Sequence, residues 1–519
     1  MTSFSVYTFT GAAGLAYRAP SVAFLMYLSN AVAVVFAFWF LAARWRRSRA
    51  STAMSYLTER YGLSTNQFYS WTHLGMAIVQ GGVMLLALGK FMSVAIGTDL
   101  NTTIIVCGAV ISLYCIIGGL WGVVVTDTLQ FVVLFPCALL ALFLGFEELG
   151  DVSRLVSDAP AGFWSVDTQE FGWLFLAANA VMMFFAMSSG AAAQRYFSVK
   201  DEKEARKVAF VTMILLFIAP AIWLFPPIFT RILGLDLGGA IPEGMNAPHE
   251  AAYVVFCMNF FPTGAMGILL AAMLSATMST LSSNFNLYAA VITDDIIKQV
   301  FWKDASPRAL LLIGRIVTLL LGVLVIAAAI AQAQVKGGVF RLMLTIGGVL
   351  IVPAGIPIIF GLIYRRTPAW AGLASYGTGL TIGILYLLLG KDISFTQQIF
   401  GVGSVSAAIY FLPGIFIKAK GAYKIKLEAF FTKLATPVSA SEVGDSEATD
   451  TGSFLITGWS AVFMGSAASL LCFLDISFKG RMINLSLTLM MVFIGVALLV
   501  ACRIVTRKRN AVRGPTISS

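Results

Sequence analysis

Charged side chains are scarce in this chain: 12% of its 519 residues are Asp, Glu, Lys or Arg, about half the share of a soluble domain. Histidine is nearly absent, and the two present, His73 and His249, stand far apart. The six cysteines (Cys107, Cys115, Cys137, Cys257, Cys472 and Cys502) fall in apolar stretches or at their ends. They show neither metal-ligand spacing nor a secreted disulfide framework, and read as small buried hydrophobes. A metal centre and a Cys–His nucleophile are therefore excluded, and no converging acids and histidines suggest an enzyme. Long polar segments are missing too. The longest, 418–453, opens basic and turns acidic and rich in Ser, Ala and Thr, as expected of an amphipathic start and a disordered linker.

What is present is apolar. Hydrophobic residues make up 59% of the chain and the mean hydropathy is +0.87, an excess that no water-soluble core hides, so lipid must solvate it. A helical span needs about 20 mostly apolar residues. Such stretches lie near 21–43, 70–96, 102–119, 124–148, 170–193, 206–233, 256–293, 309–332, 340–364, 369–389, 395–417, 454–474 and 483–502. Residues 1–19 add a shorter segment, for about fourteen helices in all. It has no charged n-region or cleavage site, so it is not a signal peptide, and its length suits the outer half of a helix. Continuous apolar runs exclude a membrane β-barrel, whose strands alternate over ~10 residues. The expected class is an all-α polytopic membrane protein.

The net charge of +10 is topological rather than a nucleic-acid footprint. Most of the 35 basic residues sit in alternate connections: Arg44 to Arg60, Arg195 to Lys207, Lys298 to Arg308, Arg365 with Arg366, Lys418 to Lys433, and Arg503 to Arg513. The positive-inside bias places these, and the C-terminus, in the cytoplasm. The opposite connections, near 149–168 and 235–255, are expected to form short lids.

Few residues offer chemistry. In the stretch Gly267 to Asp295, Ala276, Ser279 and Thr280 stand at i, i+3 and i+4 and share a helix face. Neutral hydroxyls with freed carbonyls suit a hard monovalent cation; hydroxyls on membrane helices also bond their own i−4 carbonyl or ease packing. Both readings stand. Gly118 and Gly119 permit a sharp turn, and Asp127 enters the helix beyond it, either solvated at the helix end or carried inward for function. Lys90 is expected to snorkel outward. Gln80 is placed to bond a solute or another helix. Gly347, Gly348, Pro353, Gly355 and Pro357 predict a bent tenth span.

The segments FTGAAGLAY, SYLTERYG, GGLWGVVVTDTLQ, GAAAQRYF and SATMSTLSS resemble, in order, those of the sodium:solute symporters, which include sodium/glucose, sodium/proline and sodium/pantothenate carriers. The resemblance runs from the first residue to about Arg366. It implies a LeuT-like five-plus-five inverted-repeat core over 1–366; beyond it the apolar runs and composition give two accessory helices over 367–417, a cytoplasmic linker over 418–453, and two C-terminal helices with a basic tail over 454–519. It implies sodium-coupled symport of a small organic solute, with a sodium ion held by Ala276, Ser279 and Thr280 and by carbonyls near Met1 and Phe4. Asp127 matches the acid at the cytoplasmic ion exit. Solute-binding positions fall near Thr8, Tyr27, Asn30, Gln80, Met182, Leu216 and Thr345, and an inner aromatic gate at Phe185. Met182 and Leu216 argue against a sugar site, since each unpaired buried hydroxyl costs roughly 1–3 kcal/mol. The chain begins at the ion site itself, so a start upstream of Met1 is expected. A solute sensor on the same scaffold, without transport, is the alternative. The expected partners are the bilayer, the solute and sodium, in the plasma membrane.

Overall fold

The computed structural model describes residues 5–513 except 51, 169, 190, 198, 243–244, 294–296, 299–301, 303, 390–392, 440–441, 443–450 and 475–476, with backbone alone for 118–129, 191–192, 240, 307, 451–453 and 508–513. Thirteen helical stretches among the described residues are long and apolar enough to cross a membrane. They coincide with the thirteen long runs of the sequence to within several residues. An all-helical answer is what lipid demands, because a helix satisfies its own backbone hydrogen bonds where no water can.

The chain opens with two short helices, α1 (Val6–Phe9) and α2 (Gly11–Arg18), where a single half-helix was expected. Next come α3 (Pro20–Arg47), α4 (Ala53–Arg60), α5 (Leu63–Ile96) and α6 (Leu100–Leu149). The sharp turn expected at Gly118 and Gly119 does not interrupt helical backbone: α6 carries two candidate spans, Leu100–Ile117 and Gln130–Leu149, within one helical element. The expected span 170–193 is broken into α7 (Trp173–Ser188) and α8 (Ala191–Phe197). The expected span 256–293 is also interrupted. It comprises α10 (Ala252–Phe260), which follows α9 (Glu202–Ile232), and α11 (Thr263–Ala290). Pro262, which has no N–H to extend α10, stands extended between them.

After α12 (Pro307–Ala333), α13 (Gly338–Phe360) keeps its helix through Pro353 and Pro357. Tyrosines from the first half of the chain bond its backbone: Tyr69 donates to the Ala354 carbonyl at 2.8 Å and Tyr61 to that of Pro357 at 2.7 Å. Arg60, 1% exposed, donates to the carbonyls of Gly361, Tyr364 and Thr367 just past the end of α13, where the helix dipole favours a cation. The remaining helices are α14 (Ala369–Leu389), α15 (Phe395–Phe411), α16 (Gly421–Ala435), α17 (Thr451–Ala468) and α18 (Phe478–Arg513). In the expected linker, α16 turns Phe430, Phe431 and Leu434 inward; residues 443–450 lie outside the described set.

Lys90 does not snorkel. Its Nζ is 2.7 Å from Glu250, with side chains 4% and 0% exposed, and it donates to the Asn246 carbonyl at 2.8 Å. The other Glu250 oxygen accepts the Phe340 N–H in the first turn of α13 at 2.9 Å, so every strong donor nearby is answered. Asn246 donates in turn to the Ala333 carbonyl at the end of α12. Segment 246–250 thus ties α5 to α12 and α13. Two glycines make room for it. A Cβ on Gly14 of α2 would lie 2.8 Å from His249, and one on Gly338, whose φ is +74°, would lie 2.5 Å from a Glu250 oxygen.

Removing one partner of such a pair leaves a buried charge uncompensated, at a cost of about 3–5 kcal/mol, whereas replacing both is often near neutral. Glu250→Ala is therefore expected to lower the melting temperature of the purified protein sharply, and Lys90→Met/Glu250→Gln to recover most of the loss; thermal unfolding of both variants checks this. Burial, aided by the cations Arg18 and Lys90, pushes the His249 imidazole down to about 4. The unfolded imidazole protonates near 6.5, so the native state contributes stability above that pH and loses it as pH falls towards 4. Melting temperatures measured from pH 7 to pH 4 are expected to fall more steeply in the native protein than in His249→Asn.

Candidate functional site

Two helix interruptions define the site. Between α1 and α2, Thr10 adopts φ −122° and ψ −82°, and its hydroxyl donates to the Val6 carbonyl at 3.0 Å. Between α7 and α8, Ser189 is extended at φ −123° and ψ 174°. The freed Ser188 carbonyl there accepts the Trp45 indole N–H at 3.2 Å, and the Ser189 hydroxyl donates to the Phe185 carbonyl at 2.6 Å. Such breaks are tolerated at membrane depth where protein or a cavity surrounds them, and paired interruptions in the two halves of a transporter point to its binding site. Neither was read from the sequence, in which residues 1–19 suit the outer half of a helix and 170–193 one span. The second had a signal, the run Ser188, Ser189, Gly190, which is small and polar within an apolar stretch.

A cavity of about 460 Å³ lies beside both breaks. It brings together five of the expected solute positions, Thr8, Tyr27, Asn30, Gln80 and Leu216. It does not include Met182 or Thr345. Met182 is 2% exposed and packs against Gly347 of α13, where a Cβ would meet its sulfur at 2.5 Å. Its neighbour Met183, a third of a turn round the helix, lines the cavity instead. Thr345 presents its carbonyl to the Gln398 side chain at 3.4 Å.

The sequence reading missed Asn179. This residue is 0% exposed, lines the same cavity, and donates from Nδ2 to the Ser29 hydroxyl at 3.0 Å. Its Oδ1, like that of Asn30, is buried without a hydrogen-bond partner among the described residues. An unpaired buried acceptor is costly, so two of them on one cavity wall fit a ligand that donates hydrogen bonds. Five methionines (Met26, Met84, Met183, Met187 and Met343) and the Trp223 indole supply adaptable apolar wall.

A second cavity, of about 340 Å³, shares Gln80, Met187 and Arg195 with the first and reaches Thr52 and Met54. The two meet at these three side chains. Phe185, the expected inner gate, lines neither: it is buried with its ring against Gly355, where a Cβ would come within 2.6 Å.

On α11, Ala276 and Ser279 are buried and Thr280 is half-buried. The Thr280 hydroxyl donates to the Ala276 carbonyl at 3.2 Å, so the two expected ion ligands are in contact. Helix α1 packs against α11, as a site between them requires. The face carrying Ala276 and Thr280 continues one turn on as Asn284, which lines the second cavity. Met1 and Phe4 lie outside the described residues, and Asp127 is described by its helical backbone alone.

The boundary between the cavities is testable by thiol labelling, since modification rate follows exposure. In a background without the native cysteines, Met187→Cys is expected to react with a small hydrophilic maleimide roughly tenfold faster than Phe185→Cys, as mass spectrometry over a time course reads.

The geometry has known counterparts. A sodium/mannose cotransporter of Bos taurus is 26% identical over 399 residues, spanning 69% of this chain and 66% of the relative. A sodium/myo-inositol cotransporter 2 of Rattus norvegicus is 24% identical, spanning 70% and 59%. The matches thus span somewhat under two thirds of these relatives' length. A solved structure described as the substrate-bound outward-open state of a Na+-coupled sialic acid symporter superposes with a TM-score of 0.62 at 19% identity. It covers 81% of this chain and 89% of that one, which shows the LeuT-like fold. The profile of the sodium:solute symporter family matches residues 1–379, and with it the chain belongs to the sodium:solute symporter family.

Proposed function

We propose that this protein is a secondary active transporter that carries a small organic solute into the cell together with sodium, by alternating access. The observation that carries the reading is the pair of broken helices facing one cavity, which meets a second cavity at Gln80, Met187 and Arg195. Residues 1–366 form the transport core in this reading, 367–417 and 454–519 are accessory helices, and 418–453 is a cytoplasmic connection. The basic connections face the cytoplasm, as does the C-terminus, and the protein resides in the plasma membrane.

Sodium is the coupling ion and a co-substrate. Ala276, Ser279 and Thr280 hold it together with backbone of the first helix near Met1 and Phe4; the Thr280 hydroxyl exchanges its bond to Ala276 for the ion. Neutral oxygens replace the water shell without burying a net negative charge. From there the Asn284 face leads to the second cavity, on the path to Asp127 at the exit. The solute occupies the first cavity, where Asn30 and Asn179 accept from its donor groups and Thr8, Tyr27 and Gln80 complete the polar set. The mannose and myo-inositol in the relatives' names belong to those proteins. Here the methionine-rich wall favours a less hydroxylated solute.

A ~100 mV potential contributes about 2.3 kcal/mol per charge and a tenfold ion gradient about 1.4 kcal/mol more. Together they sustain roughly 500-fold accumulation per sodium ion. The test is uptake of labelled solutes into proteoliposomes under an inward sodium gradient. Accumulation is expected in sodium, and none in potassium. Equal uptake in both media would overturn the ion assignment, and binding without accumulation would replace the transporter by a sensor. Ser279→Ala/Thr280→Ala is expected to raise the half-saturating sodium concentration roughly tenfold or more, each lost ligand being worth about 1 kcal/mol. Asn179→Leu is expected to weaken solute affinity about tenfold while leaving the sodium requirement in place.

A further inference from the structure

At the end of the molecule where the basic connections lie, a pocket of about 370 Å³ opens between α3, α9, the segment after α13, and α16. Four arginines line it: Arg44, Arg47, Arg206 and Arg365. Only Arg47 has a carboxylate partner, Glu202 at 2.9 Å. Arg44 spends one nitrogen on the Phe40 carbonyl at 2.8 Å, and Arg365 lies over the Phe431 ring at 5.0 Å. Neither these two nor Arg206 has an acidic partner among the described residues, and no acidic side chain lines the pocket. Like charges gathered round one cavity repel, so the arrangement favours an anion; arginine forks suit phosphate oxygens.

We infer that this pocket binds the phosphate headgroup of an anionic lipid of the adjoining leaflet. The depth of the lining residues distinguishes a lipid from a soluble anion. On α3, Phe40 lies one turn before Arg44 and is 50% exposed; on α9, Phe210 lies one turn after Arg206 and is 48% exposed. The helices run in opposite directions and are neighbours there, Phe38 and Phe210 having ring centroids 6.3 Å apart. On both, therefore, an exposed aromatic ring sits one turn deeper in the bilayer than its arginine. Trp39, also in the lining, is 63% exposed. This is the layering of acyl chains below a headgroup, and basic pockets between membrane helices take such headgroups. The occupant joins elements far apart in sequence: α3 and α9 on one side, the end of α13 and α16 on the other.

The test uses the full-length protein in detergent and in nanodiscs, and needs no transport. Native mass spectrometry counts phosphatidylglycerol retained against phosphatidylcholine, and melting temperatures are read with added phosphatidylglycerol or with inorganic phosphate. Selective retention of phosphatidylglycerol and a rise in melting temperature with that lipid alone are expected. Each arginine converted to glutamine is expected to weaken retention about fivefold, so Arg44→Gln/Arg206→Gln/Arg365→Gln loses it, whereas Lys298→Gln/Arg308→Gln, on the same side but outside the pocket, keeps it. The three lysine replacements, which preserve charge, guard against misfolding and are expected to retain part of the lipid. Equal retention in the glutamine triple variant and the native protein overturns the site. So does stabilisation by inorganic phosphate equal to that by the lipid, which would make it a soluble-anion pocket.

Discussion

Everything in this structure follows from one constraint: in hydrocarbon, a backbone N–H or C=O without a partner costs several kcal/mol. Helices are the default answer, and thirteen candidate spans supply it. Places where core helices stop and restart beside the cavity, at Thr10 and Ser189, are therefore costly. Each is accommodated by specific partners, the Thr10 hydroxyl on Val6 and the Trp45 indole on Ser188, and each stands beside the same cavity. Backbone freed from a helix in that setting offers oxygens at fixed positions to an ion or a solute without any charged side chain.

The same economy of charge shapes the rest of the molecule. One ionised pair, Lys90 with Glu250, is fully buried among the described residues, and each partner has a second hydrogen bond: the carboxylate also takes a backbone N–H, and the lysine a carbonyl. Its placement joins α5 to the loop before α10 and to the start of α13, with α2 packed on the same loop through Gly14. Any rearrangement that separates these elements must expose or rehydrate both charges, so the pair holds that end of the molecule shut. At the other end, where the second cavity reaches Thr52 and Met54, the ion pairs among the described residues are more exposed than this one.

How much of this was legible beforehand depends on the range of the interaction. Spans were readable because an apolar run is a local property, and their ends agreed to within several residues. The family motifs carried the LeuT-like fold. Positions along α1, α3 and α5 (Thr8, Tyr27, Asn30 and Gln80) do gather at one cavity. On α7 the reading was off by one residue: Met182 faces Gly347 and Met183 the cavity. One residue turns a helical side chain by about 100°, so a small error of register changes which surface it meets. Lys90 failed for a different reason. Its partner lies 160 residues away, and without that partner the sensible expectation for a lysine near a helix end is an outward reach. Asn179 was invisible likewise, since one amide in an apolar run acquires meaning only from what it does not bond.

Charge that is compensated and charge that is not call for different explanations. At the Glu250 end, each charge faces its counter-charge and a backbone partner within the chain. At the opposite end, Arg49 finds Glu442, Arg47 finds Glu202, and Lys433 finds Glu59, so carboxylates are within reach of that surface and are used. Among the described residues, Arg44, Arg206 and Arg365 remain without them while lining a shared cavity. A general excess of positive charge on one side accounts for basic residues being there, but it sets no requirement that three guanidinium groups from three distant segments converge on one another. An anion relieves that repulsion, in the proposed site the phosphate of a lipid, and the exposed rings of Phe40 and Phe210 one turn deeper suit the level of the membrane's own headgroups.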